Sequence, residues 1–368
     1  MSLEEEIRVS AREISTDGYE MSIGELMSLY KDKELIINPE FQRYFRWDIS
    51  QKTKFIESIL LGIPIPAIFV FQTEKGVWEL VDGLQRLSTI FEFAGILRKD
   101  EKELYSPSVM EGTKMLPSLT GKRWEAPESD LDNGLTRSQQ LEIRRARMRV
   151  EILRKESDPQ SKYELFQRLN TGGSSLSEQE IRNCVMIMVN KEFFDWIMGL
   201  SKYEPFINVI SQTNNAEKKA KIVELVLRFF VYRNIPYQGG LDVHEYLDDG
   251  MIRIASNGEF DYESEEEVFK ETFNLIARTV GEDAFKRYDG AKFLGQFLLS
   301  AYETVAIGIA ANIVTILSLP EEKQVAFIRE RLESLWEDAI FRRNSGAGVR
   351  GTTRLANLLP LSAPFFKP

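Results

Sequence analysis

The sequence predicts an α+β protein, with a small mixed α/β core over residues 1–155 followed by a mainly α-helical domain over residues 156–368. Three observations carry this. Short apolar runs at 35–37, 67–71 and 78–81, and an alternating stretch at 146–153, have the spacing of strands. The stretch WELVDGLQRLSTIFEFAGIL, residues 78–97, reads as a strand, a tight turn at Asp82-Gly83 and a helix. From about residue 190 onward, the segments 191–200, 217–232, 265–280, 291–317 and 321–343 all repeat their apolar residues at helical spacing.

Taken in order, residues 1–20 form a polar lead-in. Met21 to Tyr30 puts Ile23, Leu26, Met27 and Tyr30 on one face. Ser22 is the N-cap candidate, with Glu25 three residues later, which predicts a short amphipathic helix. Leu35-Ile36-Ile37 is a brief strand. Residues 38–48, NPEFQRYFRWD, mix aromatics with Gln42, Arg43 and Arg46. Two readings stand there: a loop pinned by its aromatics, or a base-stacking and phosphate-binding wall. Ser50 to Leu61 is a helix closed by Gly62, with Pro64 and Pro66 fixing the turn. Ala67 to Phe71 is a buried strand, turned back at residues 74–76 into the Trp78 strand.

After the Asp82-Gly83 turn, Leu87, Ile90, Phe91, Ala94 and Leu97 predict a helix over 87–97. Residues 98–140 are a charged excursion with short helices. In 146–153, Met148, Val150 and Ile152 point one way and Arg147, Arg149 and Glu151 the other. A helix through SKYELFQRL stops at Asn170-Thr171-Gly172-Gly173. A capping box at 177–180 opens the next helix, with Ile181, Val185 and Met188 on its apolar face. The tail at 341–354 is basic and glycine-rich, and reads as a loop or as a contact to a phosphate backbone through Arg342, Arg343 and Arg350.

The totals exclude several kinds of chemistry. One cysteine, Cys184, leaves no disulfide framework and no cysteine metal cluster; its apolar neighbours predict a buried thiol. The single histidine, His244, rules out zinc sites with two or three histidines and argues against histidine triads and a His-Asn-His nuclease. It reads as a structural residue near a helix start. A net charge of −10 argues against a nucleic-acid surface spread over the whole protein, though not against a local patch. The first residues do not resemble a signal peptide. The clean apolar run Ala306–Ala311 falls far short of the ~20 residues that span a bilayer. A soluble, cytoplasmic protein without a membrane partner is expected. Its chemistry must rest on carboxylates, arginines, amides and hydroxyls.

The 82–89 turn offers such chemistry. A helix starting after a glycine turn presents unpaired N–H groups and the positive end of its dipole to an anion. Arg86 sits there as a guanidinium fork, beside Ser88 and Thr89. Asp82 ends the strand at the same mouth, where a carboxylate could hold a metal ion or orient a water. The plainer reading is a capped βα turn with a surface arginine. Both stand at this point.

Four motifs in this order, FQRYFRWD (41–48), ESILLGIPIPAIFV (57–70), VDGLQRLSTI (81–90) and FQRLNTGGSSLSEQEIRNC (166–184), closely resemble the GmrSD N-terminal domain family, known for its DGQQR motif. The resemblance covers roughly residues 20–190. It implies a fold similar to ParB and sulfiredoxin, and a nucleoside triphosphate bound through a Gly-x-x-Arg turn, here Gly83 to Arg86. The cysteine that sulfiredoxin uses is missing, so sulfinic-acid reduction is not expected. The family also implies a place in phage defence or restriction of modified DNA, with NTP hydrolysis in this domain and DNA cutting by a separate His-Asn-His domain or subunit. Leu84 departs from the motif, which is DGLQR here, and no nuclease module follows.

The expected roles are then as follows. Arg86 clamps phosphates, Asp82 binds Mg²⁺ or orients the water, and Gln85 positions nucleotide or water. Gly83, Ser88, Thr89, Gln42, Arg43, Arg46 and Asn170 line the nucleotide. Arg147, Arg149, Arg342, Arg343 and Arg350 contact DNA. The expected partners are nucleotide, DNA and a separate nuclease subunit, with a homodimer as the candidate assembly. The rival reading is a non-catalytic module that recognises DNA backbone or a modified base. A direct carboxylate nuclease finds no convincing spacing.

Overall fold

Alternation at the end of the first region builds an interior strand of a mixed sheet. The structure, a computed structural model, describes residues 2, 16–37, 47–73, 75–99, 102–153, 178–210, 216–346 and 348–368. The chain divides into two units, Met1–Ser175 and Leu176–Pro368. In the first, β1 (Thr16–Ser22), α1 (Ile23–Lys31), β2 (Leu35–Ile36), α2 (Ile49–Leu60), β3 (Ile68–Gln72), β4 (Trp78–Asp82), α3 (Leu84–Phe93), α4 (Arg137–Arg145) and β5 (Arg147–Leu153) follow one another. The strands order as β1-β5-β3-β4-β2. The β1–β5 and β3–β4 pairs are antiparallel, and the β5–β3 and β4–β2 pairs are parallel.

The period-two pattern of β5 does what alternation requires. Met148, Val150 and Ile152 join Ile68, Val70 and Leu80 in one core with Leu26, Ile56, Leu87 and Ile90 from three helices. Arg147 and Arg149 face outward. The predicted cap of α1 is present, with Glu25 N–H donating to Ser22 Oγ at 3.1 Å. The polar lead-in is corrected at its end: Thr16 to Ser22 is an edge strand paired with β5 along its whole length. Its own sequence hides it, because Tyr19 is exposed and, from Asp17 to Ser22, only Met21 is buried; the ladder holds it. Helix α3 is also corrected. It begins at Leu84 and stops with Ala94 as C-cap, because Gly95 turns left-handed, so Leu97 lies beyond it.

The second unit contains α5 (Glu178–Val189), α6 (Lys191–Leu200), α7 (Glu204–Ile210), α8 (Ala216–Asn234), α9 (Val243–Ser256), α10 (Tyr262–Thr279), the hairpin β6 (Arg287–Tyr288) and β7 (Phe293–Leu294), α11 (Leu299–Leu317), α12 (Glu321–Ser334), α13 (Ala339–Asn344) and α14 (Gly351–Phe365). Phe206, Phe229, Phe269 and Phe273 pack ring to ring at its centre, with Phe269 and Phe273 centroids 4.6 Å apart. Three expectations are corrected. The helix at 291–317 starts only at Leu299, because Gly290 and Gly295 at positive φ build the hairpin before it. The helix at 321–343 is two helices, since Asp338 caps a new start by accepting from Phe341 N–H at 2.8 Å. The 341–354 tail is the end of α13 and the start of α14 rather than one loop. Among the described residues α11 alone is long and apolar enough to cross a membrane, and 72% of its apolar window is buried.

Charge is buried in this unit as a network. Arg182 is fully buried, with Asp248 Oδ1 at 2.6 Å and Glu224 at 3.8 Å. Arg228 meets Glu224 at 2.6 Å and Glu303 at 3.2 Å, and Arg354 closes on Glu303 at 2.6 Å. His244 joins through Nδ1, 2.9 Å from an Arg182 amino group. A guanidinium only donates, so Nδ1 accepts and carries no proton. Cys184 is buried, as its neighbours imply.

Burial alone would raise the Glu224 carboxyl, but Arg228 and Arg182 outweigh it and hold it below the ordinary carboxylate value. A lowered folded pKa contributes stability above the unfolded value, ~4.3, and that stability is lost as pH falls through the folded pKa. Wild type is therefore expected to lose unfolding free energy faster than Glu224→Gln as pH drops below about 4. Urea melts across that range test it; parallel curves would refute it.

Candidate functional site

The site is built where β4 hands over to α3. Phe69 pairs with Asp82 and Val70 with Leu80, so Val81 is one residue extra in β4. Such a bulge re-aims the residue after it, which here is Asp82 at the strand's end. Gly83 then takes φ 103°, the left-handed conformation that strains other residues. A Cβ there would also run into the Ile68 side chain. Gly83→Ala is accordingly expected to cost about 1–3 kcal/mol in strain and packing. A denaturant midpoint unchanged from wild type would show the turn to be less constrained than this.

Gly83 is the N-cap residue and supplies no side-chain cap; Leu87 N–H closes the first turn on Gly83 O at 2.9 Å. The dipole at this end favours an anion. Arg86 lies in this first turn. Its side chain is 16% exposed, so it is not the surface arginine of the plainer reading. Its Nη2 sits 2.6 Å from Asp82 Oδ2. Its Nε is buried without a partner, a loss of roughly 1–3 kcal/mol unless a ligand or a shift of the guanidinium relieves it.

Gln85 faces another way. Its Oε1 accepts the Trp47 N–H at 3.1 Å, which fixes the last described residues of FQRYFRWD to the helix start. Trp47 packs edge-on against Phe55 at 5.5 Å. Lys52 and Glu92, 2.6 Å apart and both largely buried, tie α2 to α3 further along. Leu84, the departure from DGQQR, packs against the hydrophobic core.

The structure therefore brings Asp82, Gly83 and Arg86 together, with the Gln85 side chain turned to Trp47. Ser88 and Thr89 are fully buried. The Thr89 hydroxyl donates to Gln85 O at 2.7 Å, while Ser88 Oγ has no partner. Gln42, Arg43, Arg46 and Asn170 lie outside the described residues. Arg147 and Arg149 are exposed on β5, with Arg149 bound to Glu151 at 2.5 Å. Arg342, Arg343 and Arg350 are exposed in the other unit. Sequence reasoning did not find the Asp82–Arg86 pair, the Trp47–Gln85 bond or the Lys52–Glu92 pair. The four-residue spacing of Asp82 and Arg86 was the one signal available.

Chemically the turn sets a guanidinium and a helix start, both of which attract anions, beside one carboxylate. A phosphate fits it: a guanidinium with spare donors, one of them orphaned, meets an uncapped helix start. Among the described residues no group of three His, Cys, Asp or Glu side chains is gathered. Asp82 can offer one oxygen to an ion that arrives with phosphates, as Mg²⁺ does. No curated protein matches the chain. Residues 23–187, which include this turn, match the family model for the GmrSD restriction endonuclease, N-terminal domain.

Proposed function

We propose that this chain is a nucleotide-binding, NTP-hydrolysing sensor component of a DNA-restriction or phage-defence system, working with a separate nuclease. The coarse part, a restriction or defence component, is the class to which its family domain belongs. The finer part rests on Arg86, which is held mostly buried by Asp82 at the start of an uncapped helix. In this reading the guanidinium and helix dipole stabilise charge on the phosphoryl group being transferred. Gln85 holds the neighbouring segment in place through Trp47. Mg²⁺, bound through one Asp82 oxygen and the phosphates, would neutralise phosphate charge. Cytoplasmic location and a homodimer belong to the same reading.

The test is phosphate release from each of the four NTPs with Mg²⁺, comparing wild type, Asp82→Ala and Arg86→Ala. Release that disappears in both variants supports the proposal. No release from any NTP, with or without DNA, would sink the hydrolytic part. The second reading, a DNA-binding module, draws on Arg144, Arg145 and Arg147, three exposed arginines within four residues at the α4–β5 corner. It expects nucleotide-independent DNA binding that falls steeply with salt.

A further inference from the structure

A cavity of about 550 Å³ opens within the second unit, between the β6–β7 hairpin, the end of α12 and α13. Its size falls in the range of small-ligand sites. Two aromatic side chains line it, Tyr288 and Trp336, both half-buried. Each is supported by another ring. Phe341 meets Trp336 edge-on at 5.0 Å, and Phe293 lies 5.0 Å from Tyr288. Two arginines, Arg287 and Arg342, and two glutamates, Glu333 and Glu337, line the same space. Among the described residues these four charges form no ion pair with one another. The third carboxylate, Asp289, is taken up by the backbone N–H groups of Ala291 and Lys292 at 2.9 Å.

A cavity that presents flat rings, spare guanidiniums and spare carboxylates together asks for a matching ligand. That ligand needs an aromatic face, an anion and hydrogen-bond donors. We propose that this cavity binds a single nucleotide, separately from the 82–86 turn. Trp336 and Tyr288 take the face of the base, because every base offers a π-surface to stack on. Arg287 and Arg342 take the phosphate. Glu333 and Glu337 accept from the amino groups on the base edge, as carboxylates do from cytosine. Guanine suits them well, because adjacent ring and exocyclic N–H groups match the two oxygens of one carboxylate. Thymine has no exocyclic amino group and suits them poorly. The nucleotide can come free or as one residue of a single strand, since both share this chemistry.

The experiment uses the full chain with and without Arg86→Ala, so that binding sensitive to Arg86 belongs to the first site and binding sensitive to Trp336 and Arg342 belongs to this one. Binding of dGMP, dTMP and short guanine- or thymine-containing single-stranded DNA is measured by calorimetry or fluorescence. Saturable binding with guanine above thymine is expected. Trp336→Ala should weaken it roughly 5- to 150-fold, the range for losing one base–aromatic stack. Arg342→Gln, at an exposed position whose side chain has no ion-pair partner among the described residues, should weaken binding and flatten its salt dependence. Glu333→Gln should narrow the preference for guanine. If dGMP binds as tightly as the strand, the ligand is a free nucleotide; if only the strand binds, the site reads single-stranded DNA. The absence of saturable binding of any probe would overturn the proposal, as would Trp336→Ala and Arg342→Gln both binding like wild type.

Discussion

Replacing Arg86 with alanine is expected to lower NTP turnover by roughly 10³–10⁵-fold, the range that rests on a phosphate-clamping arginine. The geometry says why the loss should fall on kcat as well as on binding. Arg86 sits at the dipole end of α3, so removing it strips one of two positive elements from the mouth. Asp82 Oδ2 also loses its cation at 2.6 Å, leaving a carboxylate beside the phosphates that nothing offsets. Arg86→Lys keeps the charge but loses the fork, and should recover only part of the rate. The check is single-turnover phosphate release alongside direct nucleotide binding. Tight binding with lost turnover would place Arg86 on the transferring phosphoryl group. Loss of both would make it a binding residue. Full turnover in the alanine variant would show that the turn is structural and that phosphates bind elsewhere.

Legibility in the sequence followed how local each feature is. The strand, turn and helix around Gly83 were readable because glycine, apolar spacing and caps act over a few residues. Ser22 and Met148–Ile152 kept their expected roles for that reason. β1 was not readable, since its register comes from β5, more than a hundred residues away. The α12–α13 break was marked by Asp338, but the apolar spacing runs on across it and hides the cap. At the site, Asp82, Gly83 and Arg86 stood out by type and order. What fixes them did not: the extra residue in β4, the Ile68 wall behind Gly83 and the Trp47 N–H on Gln85 all depend on parts distant in sequence. The buried acids and bases of the second unit carry no mark of burial in the sequence. Their burial in pairs depends on which helices meet, and spacing along one helix does not record that.

Arg182 is where this matters most. It lies in EQEIRNC, inside the matched family region, and by type it looks like one more arginine for an anion. The fold gives it another task. It is fully buried in α5, with Asp248 of α9 at 2.6 Å and His244 at 2.9 Å. Removing one partner of a buried pair leaves the other charge uncompensated, which costs about 3–5 kcal/mol. For a unit of this size each kcal/mol moves Tm by roughly 2–4 °C, so Arg182→Ala is expected to lower the melting temperature of the second unit by about 6–20 °C. Replacing both partners is the sharper half of the test. Arg182→Met with Asp248→Leu removes the charges together and fills the same space, and should recover much of the loss. Recovery would mean that the pair selects how α5 and α9 meet more than it stabilises them. A double variant as unstable as the single one would instead point to Glu224 and His244 as further partners that still need the arginine. A single variant that melts with wild type would show that water reaches Asp248 and that the network is not sealed.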